Sequence, residues 1–157
     1  DDFTITVDVI AHATEWAVSV GYNVEQICCI YPTSPFIECQ DLVGSLNQHI
    51  KHDWNYTFSA TQFRYPIFRS FKINDNNGVE MFFPDEYETR SQDLPLAFHD
   101  AGQFYWGTRD AWINKKKFFD KNSSPYLLPN WRVHDIDTIE DWSRAELIYK
   151  SLMHLDI

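Results

Sequence analysis

Two aspartates stand two residues apart in "HDIDTIEDW", Asp135 and Asp137. Side chains alternate along an extended chain, so both carboxylates would face one way. Such a pair suits Mg²⁺, which takes one or two carboxylates and fills its shell with water and substrate phosphate. In the competing reading Asp137 or Thr138 caps the helix that follows. That reading leaves Asp135 without a task, so the pair is taken as the metal and catalytic candidate.

A second concentration of polar groups is "RSQDLPLAFHDAGQFYWG", Arg90 to Gly107. Arg90 can grip a carboxylate with two parallel N–H bonds. Gln92, His99 and Gln103 can bond hydroxyls or amides, and Tyr105 offers a ring face with a polar tip. Together they suit an acidic sugar, with Arg90 in the catalytic set. Taken singly, each is better explained as surface polarity or a satisfied core His; it is the cluster that favours a site. A third candidate is "YPTSPF", Tyr31 to Phe36. Thr33 and Ser34 place hydroxyls in a loop after a buried strand, where open α/β sheets gather ligands. A proline-stiffened connection explains the same residues, and local sequence leaves the two readings open.

Other chemistries find little support. There is no GxSxG, HExxH or Walker-type loop, and Ser34 has no adjacent base, which weakens a hydrolase reading. Cys28, Cys29 and Cys39 lack zinc spacing and read as reduced, buried thiols, with Cys28 and Cys29 on opposite faces of a strand. His134 beside the acids reads as charge balance. His12, His49, His52 and His154 read as structural, and Lys115–Lys117 as a solvated face.

The elements that must position these groups follow from periodicity. Phe3, Val7, Ile10, Thr14, Ala17 and Val18 form a helical stripe over about 4–19, ended by Gly21. "VEQICCIYP" is a short apolar run, the kind found in a parallel strand buried on both faces. Cys39, Leu42, Val43, Leu46 and Ile50 predict a second helix over about 38–51. Strands are predicted at 56–63, 66–73 and 79–83, the last two around the turn cluster "NDNNG". "GQFYWG" reads as a strand, "TRDAWINKK" as a short helix and "PYLLPNWRV" as a final strand. Ile139, Trp142, Ala145, Tyr149, Leu152 and Met153 share one face of a last helix, with Thr138 and Asp141 at capping-box spacing. The fold class is α/β, a three-layer arrangement with a mostly parallel sheet and a protruding β-arm.

The 157 residues carry 13 Lys plus Arg against 23 Asp plus Glu, a net charge of −10. That balance argues against nucleic-acid binding, which wants a basic face. No apolar run reaches a membrane span, and the opening residues are not a secretory signal; the expected location is cytoplasmic. The chain lacks an initiating Met and is expected to be a fragment, a processed product or part of something longer.

"YPTSPF", "SQDLP", "HDAGQFYWG" and "DIDTIEDWSRAELIY" occur in the order and at the separations of one family. The chain resembles the CMP-acylneuraminate synthetases (acylneuraminate cytidylyltransferases), nearest to the branch that activates pseudaminic acid, over essentially its whole length. The resemblance implies a Rossmann-like nucleotidyltransferase fold. It also implies Mg²⁺-dependent transfer of CMP from CTP to a nine-carbon acidic sugar, with release of pyrophosphate. Asp135 and Asp137 match the metal-binding pair; Arg90, Gln92 and Tyr105 fall on sugar-contacting segments. Residues from about Tyr65 to Pro84, within a region of about 56–90, match an arm that exchanges with a second subunit and would carry Arg69 and Lys72 toward the neighbour's sugar. A homodimer is implied.

The family's Gly-rich, basic loop that cradles the CTP phosphates has no counterpart here. The expectation is therefore a single partial domain over 1–157, incomplete at its N-terminus and inactive by itself. Its alternative is a non-catalytic module that keeps the sugar pocket and the arm. Missing strands would leave a sheet edge and apolar faces exposed.

Overall fold

The computed structural model describes residues 4–153. Phe3 and His154, and the side chain of Met153, lie outside what is described. Helix α1 spans Thr6–Ser19 and ends where the sequence places its stop. Gly21 takes φ 96°, and the amides of Gly21 and Tyr22 bond back to the carbonyls of Val18 and Ala17. Only glycine adopts that left-handed turn at no steric cost. Strand β1 is Gln26–Ile30, α2 is Cys39–His52 and β2 is Tyr56–Gln62. Beyond an arm come β5, Phe98–Thr108, α3, Arg109–Ile113, β6, Ser123–Leu127, and α4, Ile139–Met153. No described helix is long and apolar enough to cross a membrane.

The main sheet has the order β1-β5-β2-β6. Here the expected, mostly parallel sheet needs correction. β5 runs antiparallel to both β1 and β2, and the β2–β6 pair alone is parallel. The reason lies in the connections. α2 carries the chain from β1 to β2, and these two strands run the same way on either side of β5. The chain leaves β2 through the arm, with no crossover helix, and so returns antiparallel. The apolar run in β1 overstated its burial as well as its direction: β1 is an edge strand that meets a core on each face through Cys28 and Cys29, yet Cys29 alone is buried and Ile30 is exposed.

Helices cover both faces, giving three layers. On one face Val7 and Ile10 of α1 and Ala111 and Trp112 of α3 pack on Cys29, Tyr56, Phe58 and Tyr105. On the other, Leu42 of α2 packs with Cys28, Phe104, Trp106 and Tyr126. Cys28 and Cys29 thus face opposite ways, as the alternation requires. Burial pushes the Cys28 thiol up to about 12, with the neighbouring Cys29 adding to the effect; burial raises Cys29 too. Cys39, expected to be buried, is exposed because it opens α2 on that helix's outer side.

The lysine run ties the helices together: Lys115 pairs with Asp8 of α1 at 2.8 Å and Lys116 with Asp110 at 2.7 Å. His49 is buried between sheet and helix; its Nε2 donates to Gln26 Oε1 at 2.8 Å and its Nδ1 accepts from the Thr57 hydroxyl at 3.1 Å.

The arm is shorter than predicted. β3, Phe71–Ile73, and β4, Val79–Met81, form a separate two-stranded ribbon, while 67–69 is a 3₁₀ turn. Asn74 Oδ1 accepts from the amides of Asn76 and Gly78 and closes the turn. The first residues of the expected 56–90 arm region are β2, inside the main sheet. Lys72 pairs across the ribbon with Glu80 at 3.2 Å, and Arg69 donates to the Thr89 carbonyl.

Helix α4 begins with the predicted capping box. The Thr138 amide donates to Asp141 Oδ2 at 3.0 Å, and the Asp141 amide to Thr138 Oγ1 at 3.2 Å. Its apolar stripe is mostly uncovered: Ala145 is buried, but Trp142 is 55% and Ile139 84% exposed.

Candidate functional site

The chemistry-bearing residues gather at one end of the sheet. β1, β2 and β6 end there, β5 begins there, and the loops after β1 and β6 lie over it. The register shows how. Phe58 opposes Tyr105, yet Ala60 opposes Asp100. Four residues of β5, 101–104, therefore stand against the single residue Ser59, a wide bulge that re-aims side chains. Ser59 Oγ accepts from the amides of Gln103 and Phe104, each at 3.1 Å. Gly102 takes φ 64°. Asp100 Oδ1 accepts from the Gly102 amide at 2.8 Å, and Oδ2 from the Tyr105 hydroxyl at 2.6 Å. Burial, and then the Asp100 carboxylate, push the Tyr105 phenol far up, so it stays protonated as a donor.

Asp135 joins this centre. A side chain carbon at Gly102 would lie 3.9 Å from Asp135 Oδ2, so Asp100 and Asp135 flank the same glycine. Asp135 Oδ1 accepts from the Ile136 amide at 3.0 Å. The Asp137 carboxylate has no partner among the described residues. Both acids are exposed. Thr138, rather than Asp137, caps α4, which leaves the Asp137 carboxylate without a capping role.

The segment that bears the acids is held by a buried ion pair. Arg132 meets Asp41 of α2 with two bonds, at 2.5 and 3.1 Å, and Glu38 at 3.1 Å. Burial opposes the charge on Arg132, but the Asp41 carboxylate more than offsets it. The Arg132 carbonyl accepts from Gln103 Nε2 at 2.6 Å. Ser34, also buried, donates to the Gln103 carbonyl at 3.4 Å, and the Tyr31 amide donates to that same carbonyl at 2.9 Å. Gln103 is thus the junction of three segments.

The predicted sugar cluster divides. Gln103 and Tyr105 face the interior and build the floor. His99 is half-buried; its Nδ1 donates to the Asp100 carbonyl at 2.8 Å, and its ring packs on Phe63. Thr33 is half-buried in the loop after β1. Arg90 and Gln92 are exposed on the loop before β5, where Arg90 pairs with Asp93 at 2.7 Å. No described contact joins Arg90 to Asp135 or Asp137.

Sequence reasoning passed over Asp100, Arg132 and Asp41. Asp100 lay inside the quoted stretch, and an Asp two residues before a Gly is a turn signal. Nothing local marks an Arg and an Asp that are 91 positions apart. Beside Asp100 a cleft of about 440 Å³ is walled by Phe58, Phe63, Phe98 and Phe119, with His99 and Asp100 at its polar side. Among the described residues no three His, Cys, Asp or Glu side chains form a metal cluster. Two carboxylates alone fit Mg²⁺, which keeps several waters, better than a metal requiring a full protein cage.

Over 150 residues the chain is 40% identical to a pseudaminic acid cytidylyltransferase of Campylobacter jejuni serotype O:2, covering 96% of this chain and 65% of that protein. The chain is a homologue of the pseudaminic acid cytidylyltransferases. A Helicobacter pylori protein, named pseudaminic acid cytidylyltransferase and UDP-2,4-diacetamido-2,4,6-trideoxy-β-L-altropyranose hydrolase, is 32% identical over 138 residues, 87% of this chain and 26% of its own length. An N-acylneuraminate cytidylyltransferase B of Danio rerio is 28% identical over 127 residues, 79% of this chain and 29% of its own. No family model matches the chain. This chain spans 65% of the length of the Campylobacter cytidylyltransferase. The mixed α/β architecture agrees with a nucleotidyltransferase-like fold.

Proposed function

We propose that the chain is the C-terminal part of an enzyme that transfers CMP from CTP to a pseudaminic-type nine-carbon acidic sugar. The observation that carries this reading is the acid pair. Asp135 lies beside the glycine of the β5 bulge, and Asp137 has no partner among the described residues. The relatives' names supply the reaction class.

Asp135 and Asp137 would hold Mg²⁺, which when bound would neutralise the CTP phosphates. Asp100 and Gly102 fix the backbone against which Asp135 rests. Arg90 leaves Asp93 to grip the sugar carboxylate, an exchange made cheap by the exposure of that pair. Gln92 and His99 orient hydroxyls or amides. The phenylalanine-walled cleft accepts the acetamido methyl and deoxy positions of such a sugar, because apolar walls favour groups that water hydrates poorly. The sugar's anomeric hydroxyl loses its proton to solvent and its oxygen forms the new bond to the α-phosphorus as the bond to the pyrophosphate oxygen breaks. Positioning and charge neutralisation do most of the work in such a transfer. The ribbon, with Phe71, Ile73, Val79 and Phe82 exposed, packs on a second copy and makes a homodimer.

The test is Asp137→Ala in the complete enzyme. Turnover falls by two orders of magnitude or more, on the scale of lost electrostatic stabilisation, while sugar binding by calorimetry persists. Normal turnover in that variant removes the metal assignment and with it this reading.

A further inference from the structure

On the flank of the acid pair, between the end of β2 and α4, lies a cleft of about 570 Å³ lined by Arg64, His99, Asn130, Trp131, His134 and Arg144 among others. Among the described residues no carboxylate lines it, in a chain whose net charge is −10. The Arg64 guanidinium makes no hydrogen bond or ion pair among the described residues. Arg144 is held only by its own helix, to Glu140 at 3.1 Å and Asp141 at 3.9 Å. Exposed pairs of that kind are weak and easily exchanged for another partner. Both guanidiniums, one after β2 and one on α4, thus line the cleft and are available to a ligand in it.

We infer that this cleft is an oxyanion site for a phosphate-class ligand, bound by Arg64 and Arg144 from two different elements. A single carboxylate satisfies one guanidinium fork. Two forks call for a multiply charged, many-oxygened anion such as a phosphate, a pyrophosphate or a phosphate ester. His99 and Asn130 do not supply the charge; His99 Nδ1 is committed to the Asp100 carbonyl and Asn130 Nδ2 to that of Gln62. They shape the wall. The cleft shares His99 with the proposed sugar cleft, but neither Asp135 nor Asp137 lines it, and the inference does not rest on the proposed CMP transfer.

Calorimetric titration of the full chain at low salt, without divalent ions, tests it. The probes are inorganic phosphate, pyrophosphate and, as a sugar monocarboxylate, glucuronate. Pyrophosphate binds at one saturable site, and glucuronate binds about tenfold more weakly or worse. Arg64→Gln and Arg144→Gln each weaken pyrophosphate about tenfold or more, while Arg64→Lys retains much of the affinity. Arg64 is exposed, so these variants fold, as circular dichroism verifies. The Asp135→Asn/Asp137→Asn variant binds pyrophosphate as well as the parent does, which separates this site from the acid pair. Absence of saturation overturns the assignment. So do unchanged binding in Arg64→Gln, tighter binding of glucuronate than of pyrophosphate, or loss of binding in the double Asp variant.

Discussion

The Tyr105 hydroxyl donates to Asp100 Oδ2 at 2.6 Å, although the two residues are five apart on one strand. In a regular strand an odd separation sends side chains to opposite faces. The four-against-one bulge resets the alternation and brings them together. Tyr105→Phe is expected to lower stability by about 1–2 kcal/mol, the cost of a buried bond to a charged group. Urea denaturation of Tyr105→Phe, Asp100→Ala and the double variant measures it. Strict additivity would mean that the bond contributes nothing.

Arg132 and Asp41 make the second prediction. Both are buried, and removing one partner strands the other's charge. Arg132→Met is expected to cost about 3–5 kcal/mol, and Arg132→Met with Asp41→Leu much less. A double variant as unstable as the single would refute the charge argument.

Glycine 107 sits where a side chain carbon would meet Trp112 Nε1 at 2.5 Å and the Tyr56 ring at 2.7 Å. Both rings are fully buried and have nowhere to go. Gly107→Ala should cost about 1–3 kcal/mol or more. Gly44→Ala meets the Tyr126 hydroxyl at 2.6 Å, but that is the end of a half-buried side chain that can swing. Thermal melts should rank Gly107→Ala well below Gly44→Ala.

Burial holds the His49 imidazole below its ordinary range, and the nearby Asp53 only partly opposes this. The folded state therefore resists protonation, whereas the unfolded chain takes the proton near pH 6.5. The stability His49 contributes is full above that pH and falls as pH drops below it toward the depressed folded value. The urea midpoint should decline between pH 7 and pH 5, and His49→Gln should flatten that part of the profile. An equal slope in the variant would assign the effect elsewhere.

Much of this was legible from residue patterns alone. The stripes of α1 and α2, the Gly21 stop and the Thr138–Asp141 box are local features, and local spacing reports them well. The opposite facing of Cys28 and Cys29 followed from the period of a strand. The direction of β5 did not, because pairing partners are set by how the chain returns from the arm. The exposure of Trp142 and Ile139 also escaped, since a stripe records apolarity and says nothing of what covers it. At the candidate site, the motifs singled out Asp135, Asp137 and the 90–107 stretch as residues suited to chemistry. They did not separate Gln103 and Tyr105, which face inward, from Arg90 and Gln92, which face water. That separation is set by place in the chain: Gln103 and Tyr105 lie on β5, inside the sheet, while Arg90 and Gln92 lie on the loop before it.

The three thiols differ sharply in access. Two lie inside the sheet and are kept protonated by their surroundings, while the third opens a helix on its outer side. A maleimide dye added to the native chain should therefore couple once, at Cys39, without any cysteine being engineered away. That helix also carries Asp41, so the label would report directly when the clasp on the acid-bearing segment opens.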